Sequence, residues 1–295
     1  MLESLRAQDR TVATVGYRLF TAGAALCGDS GVQPGLVMHT AGQYGAAIRP
    51  EARALFGFGA GPSIAAVVAG GPAERAGLRA DDAITAIGGI PAASVPDGKD
   101  PSFDGVAAAQ AQLDAALARG PVALDVMRGS QPLRFTLIAD AGCAARIQVV
   151  ASRSIGASKG GTLISLNAGL VDLAADDDEI AFAVAHELAH IIARDRARLD
   201  AAGVSRGLFA GLGGNGAKLR AAEYEVDALA LWLMARAGYD PHAALRFADR
   251  IGRRTRTPIS DGTHPRWGKR AEAMRPVIAA IQAKRAAGLP LMPDR

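Results

Sequence analysis

Apolar residues at Leu2, Leu5, Val12, Val15 and Leu19 recur at helical spacing. This predicts an amphipathic N-terminal helix with one face packed on a core. Leu36-Val-Met-His39 is a short apolar stretch that reads as a strand of the main body. From residue 53 to 140 the texture changes. Ile64-Ala-Ala-Val-Val68 reads as a strand, residues 105–119 as a helix, and residues 122–137 as a hairpin turning at Arg128-Gly-Ser-Gln-Pro132. Further on, Leu163-Ile-Ser-Leu-Asn167 predicts another short strand whose edge is open to a guest strand. Asp176, Asp177, Asp178 and Glu179 then favour a helix start through capping and the helix dipole. Residues 180–193 are apolar nearly all round, as a buried helix is, and residues 221–234 carry a second helical pattern. The predicted fold class is α+β. Residues 1–52 and 141–295 form a mainly helical body, and a β-rich domain at 53–140 interrupts it.

The buried helix contains His186-Glu187-Leu188-Ala189-His190. Residues four apart on a helix stand one above the other, with Cβ atoms about 5–6 Å apart. Two imidazoles so placed can share one metal ion. Glu187 is rotated by about 100° from His186, which puts it beside the metal, where it can accept a proton from the attacking water. A purely structural helix seldom buries two His and a Glu without partners. The pattern is that of a zinc-peptidase helix. A catalytic zinc takes three protein ligands, so one more must come from elsewhere. Glu223 lies 33 residues after His190, one helical turn before Asp227. Glu225 competes with it, but sits about 200° around the helix, so the two cannot both face one ion.

These residues resemble the gluzincin metallopeptidases of the HtpX heat-shock protease and CAAX prenyl endoprotease type. Four elements occur in order: the HExxH sequence, Glu223-x-x-x-Asp227, Ala237-Gly-Tyr-Asp-Pro241, and Thr263-His264-Pro265 with Arg270. The resemblance covers residues 141–285. It implies that His186, His190 and Glu223 hold one zinc ion, that Glu187 is the general base, and that Asp227 orients His186. It brings His264 to the active site as an oxyanion donor or as a fourth zinc ligand. The implied activity is endopeptidic hydrolysis of polypeptides. His39 and His242 read as structural histidines, since the ligand set is complete without them.

Residues 53–140 resemble a bacterial PDZ domain. The most specific portion is Gly71-Pro-Ala-Glu-Arg-Ala-Gly-Leu-Arg79, followed by Asp82-x-Ile-x-x-Ile-Gly-Gly89; Asp81 stands where that family usually has Gly. A PDZ groove adds an extended peptide to a sheet edge. Phe56-Gly57-Phe58-Gly59 is the expected loop whose backbone N–H groups meet a peptide's C-terminal carboxylate. Such a domain either presents substrate to the protease or covers its cleft.

The remaining composition narrows the setting. The net charge is +4, and the basic runs Arg194–Arg198 and Arg253–Arg256 lack interleaved aromatics, so they read as solvated surface and no nucleic-acid partner is expected. No run of eighteen uncharged apolar residues occurs, so no transmembrane helix is expected, unlike the membrane-embedded members of the resembling family. Residues 11–26 are fairly apolar, but Arg18 interrupts them and Glu3 and Asp9 spoil a basic leader, so they do not read as a signal peptide. The two cysteines, Cys27 and Cys143, flank the inserted domain. Count alone leaves a bridge and two buried thiols equally open. The resemblance to exported soluble relatives implies a bridge and a periplasmic setting, with the cytoplasm as runner-up. A rival reading makes the PDZ domain the working part, in a peptide-binding, chaperone-like protein with a latent zinc site.

Overall fold

The computed structural model describes residues 2–59, 61–94, 96, 98–194, 201, 213–255 and 265–294. The chain divides into two compact units. One comprises Met1–Tyr17 and Ser30–Val149, the other Arg18–Asp29 and Val150–Arg295. The fold is α+β, as the sequence predicts.

In the first unit, helix α1 (Leu2–Ala22) buries Leu2, Val12 and Val15. Strand β1 (Ser30–Gln33) is followed by β2 (Leu36–His39), α2 (Arg49–Phe56), β3 (Ser63–Val67), α3 (Pro72–Arg75), β4 (Ala83–Ile87), β5 (Ile90–Pro91) and α4 (Asp104–Leu117). The hairpin β6 (Val122–Arg128) and β7 (Gln131–Leu137) and strand β8 (Asp140–Cys143) complete it. The main sheet has the order β2-β3-β4-β6-β7, with β5 paired to β4, and β1 pairs with β8. On β6, Val122, Leu124 and Val126 alternate inward, and together with Ile64, Ile84, Ile87, Leu113 and Leu137 they form the core. The hairpin closes at Arg128↔Gln131, with Gly129 at φ +61°. A two-residue loop of this kind favours glycine because its twist matches that of the strands.

Two sequence expectations change here. β2 is not a strand of the helical body but the end strand of this sheet, paired to β3 from Leu36↔Val67 to His39↔Ser63. The expected domain start at residue 53 therefore falls inside the unit. A four-residue strand lacks the length for period-two alternation to reveal its partner. Asp81 also departs from the expected Gly, and it adopts the left-handed region at φ +68°. Aspartate tolerates that region better than most residues. Its carboxylate is paired with Arg6 of α1, a contact glycine could not make. Next to it, buried Asp82 accepts both arms of the Arg128 guanidinium, at 2.7 and 2.8 Å.

After β9 (Arg146–Val150), the second unit holds the antiparallel hairpin β10 (Ala157–Gly160) and β11 (Leu163–Asn167), then α5 (Ala168–Leu173), α6 (Asp177–Ile192), α7 (Gly213–Arg236), α8 (Ala243–Thr255) and α9 (Trp267–Ala286). α6 packs on α7 and α8, and α9 packs on the same two. The start of α6 is capped as its sequence predicts. Asp176 accepts from the Glu179 N–H at 2.8 Å, and the Glu179 carboxylate accepts from the Ala175 N–H at 2.9 Å. β11 forms where expected, but β10 pairs with it from Ala157↔Leu166 to Gly160↔Leu163, so its edge on that side is already filled.

The Ala237–Pro241 turn ties α7 to the start of α6. Gly238 sits at φ +79°, the Tyr239 N–H returns to the Met234 carbonyl at 2.9 Å, and the Asp240 N–H donates to the Asp178 carboxylate at 2.9 Å. Arg18 lies over the Tyr239 ring at 4.2 Å and donates to the Ala237 carbonyl. Among the described residues, no helix is long and apolar enough to cross a membrane. Neither Cys27 nor Cys143 is a free thiol.

Candidate active site

α6 presents His186, Glu187 and His190 from a helix whose other residues are mostly buried, Val184, Ala185, Leu188 and Ala189 among them. The two imidazoles stand with ring centres 4.7 Å apart. α7 supplies the carboxylates. Glu223 and Asp227 face inward and are buried, whereas Glu225 is exposed. Val226, Ala230, Leu231 and Leu233 are buried on the same helix and hold it in that rotation.

His186 Nε2 lies 3.7 Å from one Glu223 oxygen, and His190 Nε2 lies 3.6 Å from the other. The donor atoms of the three residues all lie within 4.8 Å of one another, a grouping able to hold a metal ion. A tetrahedral zinc with bonds of about 2.0–2.2 Å sets its ligand atoms about 3.4 Å apart, so this donor set fits such an ion. Glu187 is half-buried next to His186, out of the ligand cluster.

Behind His186 stands a charged pair. Its Nδ1 lies 3.0 Å from Asp227 Oδ1, so Nδ1–H donates there and the lone pair of Nε2 points to Glu223 and His190. Arg270, on α9, grips the same carboxylate with two bonds: Nε to Oδ2 at 2.7 Å and Nη2 to Oδ1 at 2.6 Å. Burial pushes the Asp227 carboxyl up, but the bonds from Arg270 and His186 outweigh it and hold the group below its ordinary value. Burial likewise works against the Arg270 charge, and Asp227, with the fields of Glu223 and Glu187, keeps it raised.

Residues 144–219 match peptidase family M48, and residues 63–98 match a PDZ domain. These matches support an M48-family metallopeptidase with a PDZ domain. The M48 match includes all of α6 and stops four residues before Glu223. None of the curated proteins matches this metallopeptidase. Among solved structures, the crystal structure of the HtrA3 PDZ domain bound to a phage-derived ligand (FGRWV) is 22% identical, covering 38% of this chain and 89% of its own, with a TM-score of 0.28.

His264 of the metallopeptidase lies outside the described residues. The Phe56–Gly59 loop follows directly on α2. Phe56 and Phe58 are buried, packed with His39 and Tyr44, and the His39 and Phe58 ring centres are 4.4 Å apart. Gly57 ends α2 at φ +63°, and its N–H is taken by the Arg53 carbonyl at 3.0 Å. That N–H is therefore not available to a carboxylate. A glycine after an apolar helix is also a helix-ending signal, and Gly57 plays that part here. The loop does border a cavity of about 730 Å³, lined by Leu55, Gly59, Thr85 and Met127 among others. β2 ends the sheet and has α4 close by.

His39 donates or accepts at Nδ1 with Tyr44, 3.1 Å away, and its burial and the nearby Arg6 charge lower its pKa to about 3. It is a neutral core residue. His242 pairs with Asp240 on the surface. Arg270 is a side chain of the site whose contacts the sequence did not show. The motif contains it, but only the three-helix packing shows what it touches.

Proposed function

We propose that the protein is a zinc-dependent endopeptidase acting on unfolded or misassembled polypeptides, and that its PDZ unit binds peptide segments of those substrates. The observation that carries this reading is the convergence of His186 Nε2, His190 Nε2 and the Glu223 carboxylate on one point. Two neutral imidazoles and one carboxylate suit zinc and leave a coordination position for reactants. A bound zinc supplies Lewis acidity toward the scissile carbonyl.

The chain's own residues do the rest. Glu187 accepts the proton of the attacking water and delivers it to the leaving amine. Asp227 keeps His186 in the tautomer that turns Nε2 inward. In the PDZ unit, an extended peptide has the free side of β2 to pair with, and its side chains meet the cavity walls or α4. The proposed setting is an oxidising, exported compartment, with which the bonded state of Cys27 and Cys143 agrees.

The test pairs elemental analysis of the purified full chain with digestion of unfolded casein. About one zinc per chain is expected. Chelation should stop cleavage, and added zinc should restore it. Cleavage that survives complete metal removal would sink the proposal.

A further inference from the structure

The His186 ring is held from behind by a carboxylate that is itself held. Asp227 is 1% exposed and Arg270 is 4% exposed. An aspartate buried this deeply needs its charge balanced and its lone pairs filled. Arg270 meets both oxygens at once, with two near-parallel bonds of 2.7 and 2.6 Å, the geometry that suits a guanidinium and that an ammonium cannot copy. Arg270 is fixed in turn. Its guanidinium carbon lies 4.1 Å from the centre of the Trp267 ring, one turn back on α9. Its Nη2, which donates to Asp227, passes 3.2 Å from His186 Nδ1 without bonding to it, since Nδ1 carries the proton given to Asp227, and its Nη1 is 3.8 Å from a Glu223 oxygen. One side chain from α9 therefore touches groups from both helices that carry the ligands.

We infer that Arg270 is a positioning residue for the metal site: its fork sets the Asp227 carboxylate, and Asp227 then fixes the His186 ring so that Nε2 faces Glu223 and His190. The inference rests on the zinc reading above. A staple between helices would need only charge and would act on stability alone. Positioning needs the fork and acts on the imidazole. Lysine keeps the charge and the stem but makes only one directed contact with the carboxylate. Partners that orient a metal-binding histidine are commonly worth about 10–100-fold in metal affinity.

The experiment uses the full chain as wild type, Arg270→Lys, Asp227→Asn and the double variant. Zinc affinity is measured by competition with a chromogenic chelator, and the visible bands of the cobalt-loaded protein report ligand geometry. Arg270→Lys should bind zinc at least about 10-fold more weakly, with displaced cobalt bands. The double variant should bind no more weakly than the weaker single one, because both changes break one chain of contacts. Wild-type affinity and bands in Arg270→Lys would overturn the inference, even if its unfolding midpoint drops. So would losses that multiply in the double variant.

A second readout needs no metal. Imidazole nitrogen shifts in the metal-free protein should show His186 protonated at Nδ1 in the wild type and as mixed tautomers in Arg270→Lys. The same single tautomer in both would overturn the inference. If the wild type takes up neither metal, the zinc reading fails and the shifts still decide the role of Arg270. Should Arg270→Lys not fold, Asp227→Asn, of equal size, faces the same two tests with the same expected and overturning results.

Discussion

Glu223 and Glu225 stand two residues apart on α7, and the first is buried while the second is exposed. The rotation of one helix thus decides between two chemically identical ligands. Glu223→Ala should leave the protein folded but without stoichiometric zinc. Glu225→Ala should keep its zinc and its activity. Metal analysis of the two variants side by side checks this, and the opposite result would move the site by two residues.

Glu187 is next to His186 in the chain but outside the ligand cluster. Glu187→Gln keeps the size and removes the base, so zinc content should be unchanged. Peptide hydrolysis should fall by about 10²–10⁴-fold, the usual contribution of a positioned general base. Initial rates on a quenched-fluorescence peptide, with inactive Glu223→Ala as the contamination control, give the number. Undiminished turnover would remove Glu187 from the mechanism.

Cys27 and Cys143 are 116 residues apart in the chain, and neither is a free thiol. A bridge closing a loop of that length should stabilise by about 4–5 kcal/mol in the chain-entropy model. Denatured, unreduced protein from an oxidising compartment should show no reactive thiol, and peptide mapping should recover Cys27 linked to Cys143. Cys27→Ser with Cys143→Ser should lower the thermal midpoint. Two titratable thiols in the unreduced protein would reject the bridge.

His39 is buried neutral, with its pKa lowered to about 3 by burial first and the Arg6 charge second. In the unfolded chain it titrates near 6.5. The folded value is depressed, so between these two values the unfolded state holds the extra proton. His39 therefore supports folding fully above about pH 6.5 and loses that support as pH falls toward 3. Asp9 works in the opposite direction, because burial raises its carboxyl to about 7 against the Val149 N–H bond that lowers it. The comparison must therefore be made between proteins. Relative to wild type, His39→Phe should gain about 1–2 kcal/mol of stability between pH 7 and pH 5. Parallel curves of unfolding free energy against pH for the two proteins would contradict this.

How much of this was legible in the sequence depends on what kind of signal each residue sends. The α6 helix announces itself three times over, through Asp176 as a cap, through its apolar residues, and through two histidines at helical spacing. Spacing alone left the third ligand open between Glu223 and Glu225, and the buried Val226, Ala230, Leu231 and Leu233 show which side of α7 faces in. β2 was readable as a strand but not as part of the PDZ sheet, since four residues do not name their partner. Phe56-Gly57-Phe58-Gly59 carried two meanings, a glycine-rich loop and a helix end; Gly57 does end α2, and Phe56 and Phe58 pack on His39. The motif includes Arg270, but its contacts with Asp227 and His186 have no local signal, because they exist only where three helices meet.

Arg18 donates to the Ala237 carbonyl across 219 residues of chain, and the first piece of that second unit ends at Asp29. During synthesis the chain emerges from its N-terminus at about 5–20 residues per second. The sheet unit is complete once Val149 is out. The unit with the metal ligands must wait for residues more than a hundred places further on. Its early segment, Arg18–Asp29, therefore spends that interval with its own partners unmade. His186, His190 and Glu223 cannot converge until both parts of their unit have been made.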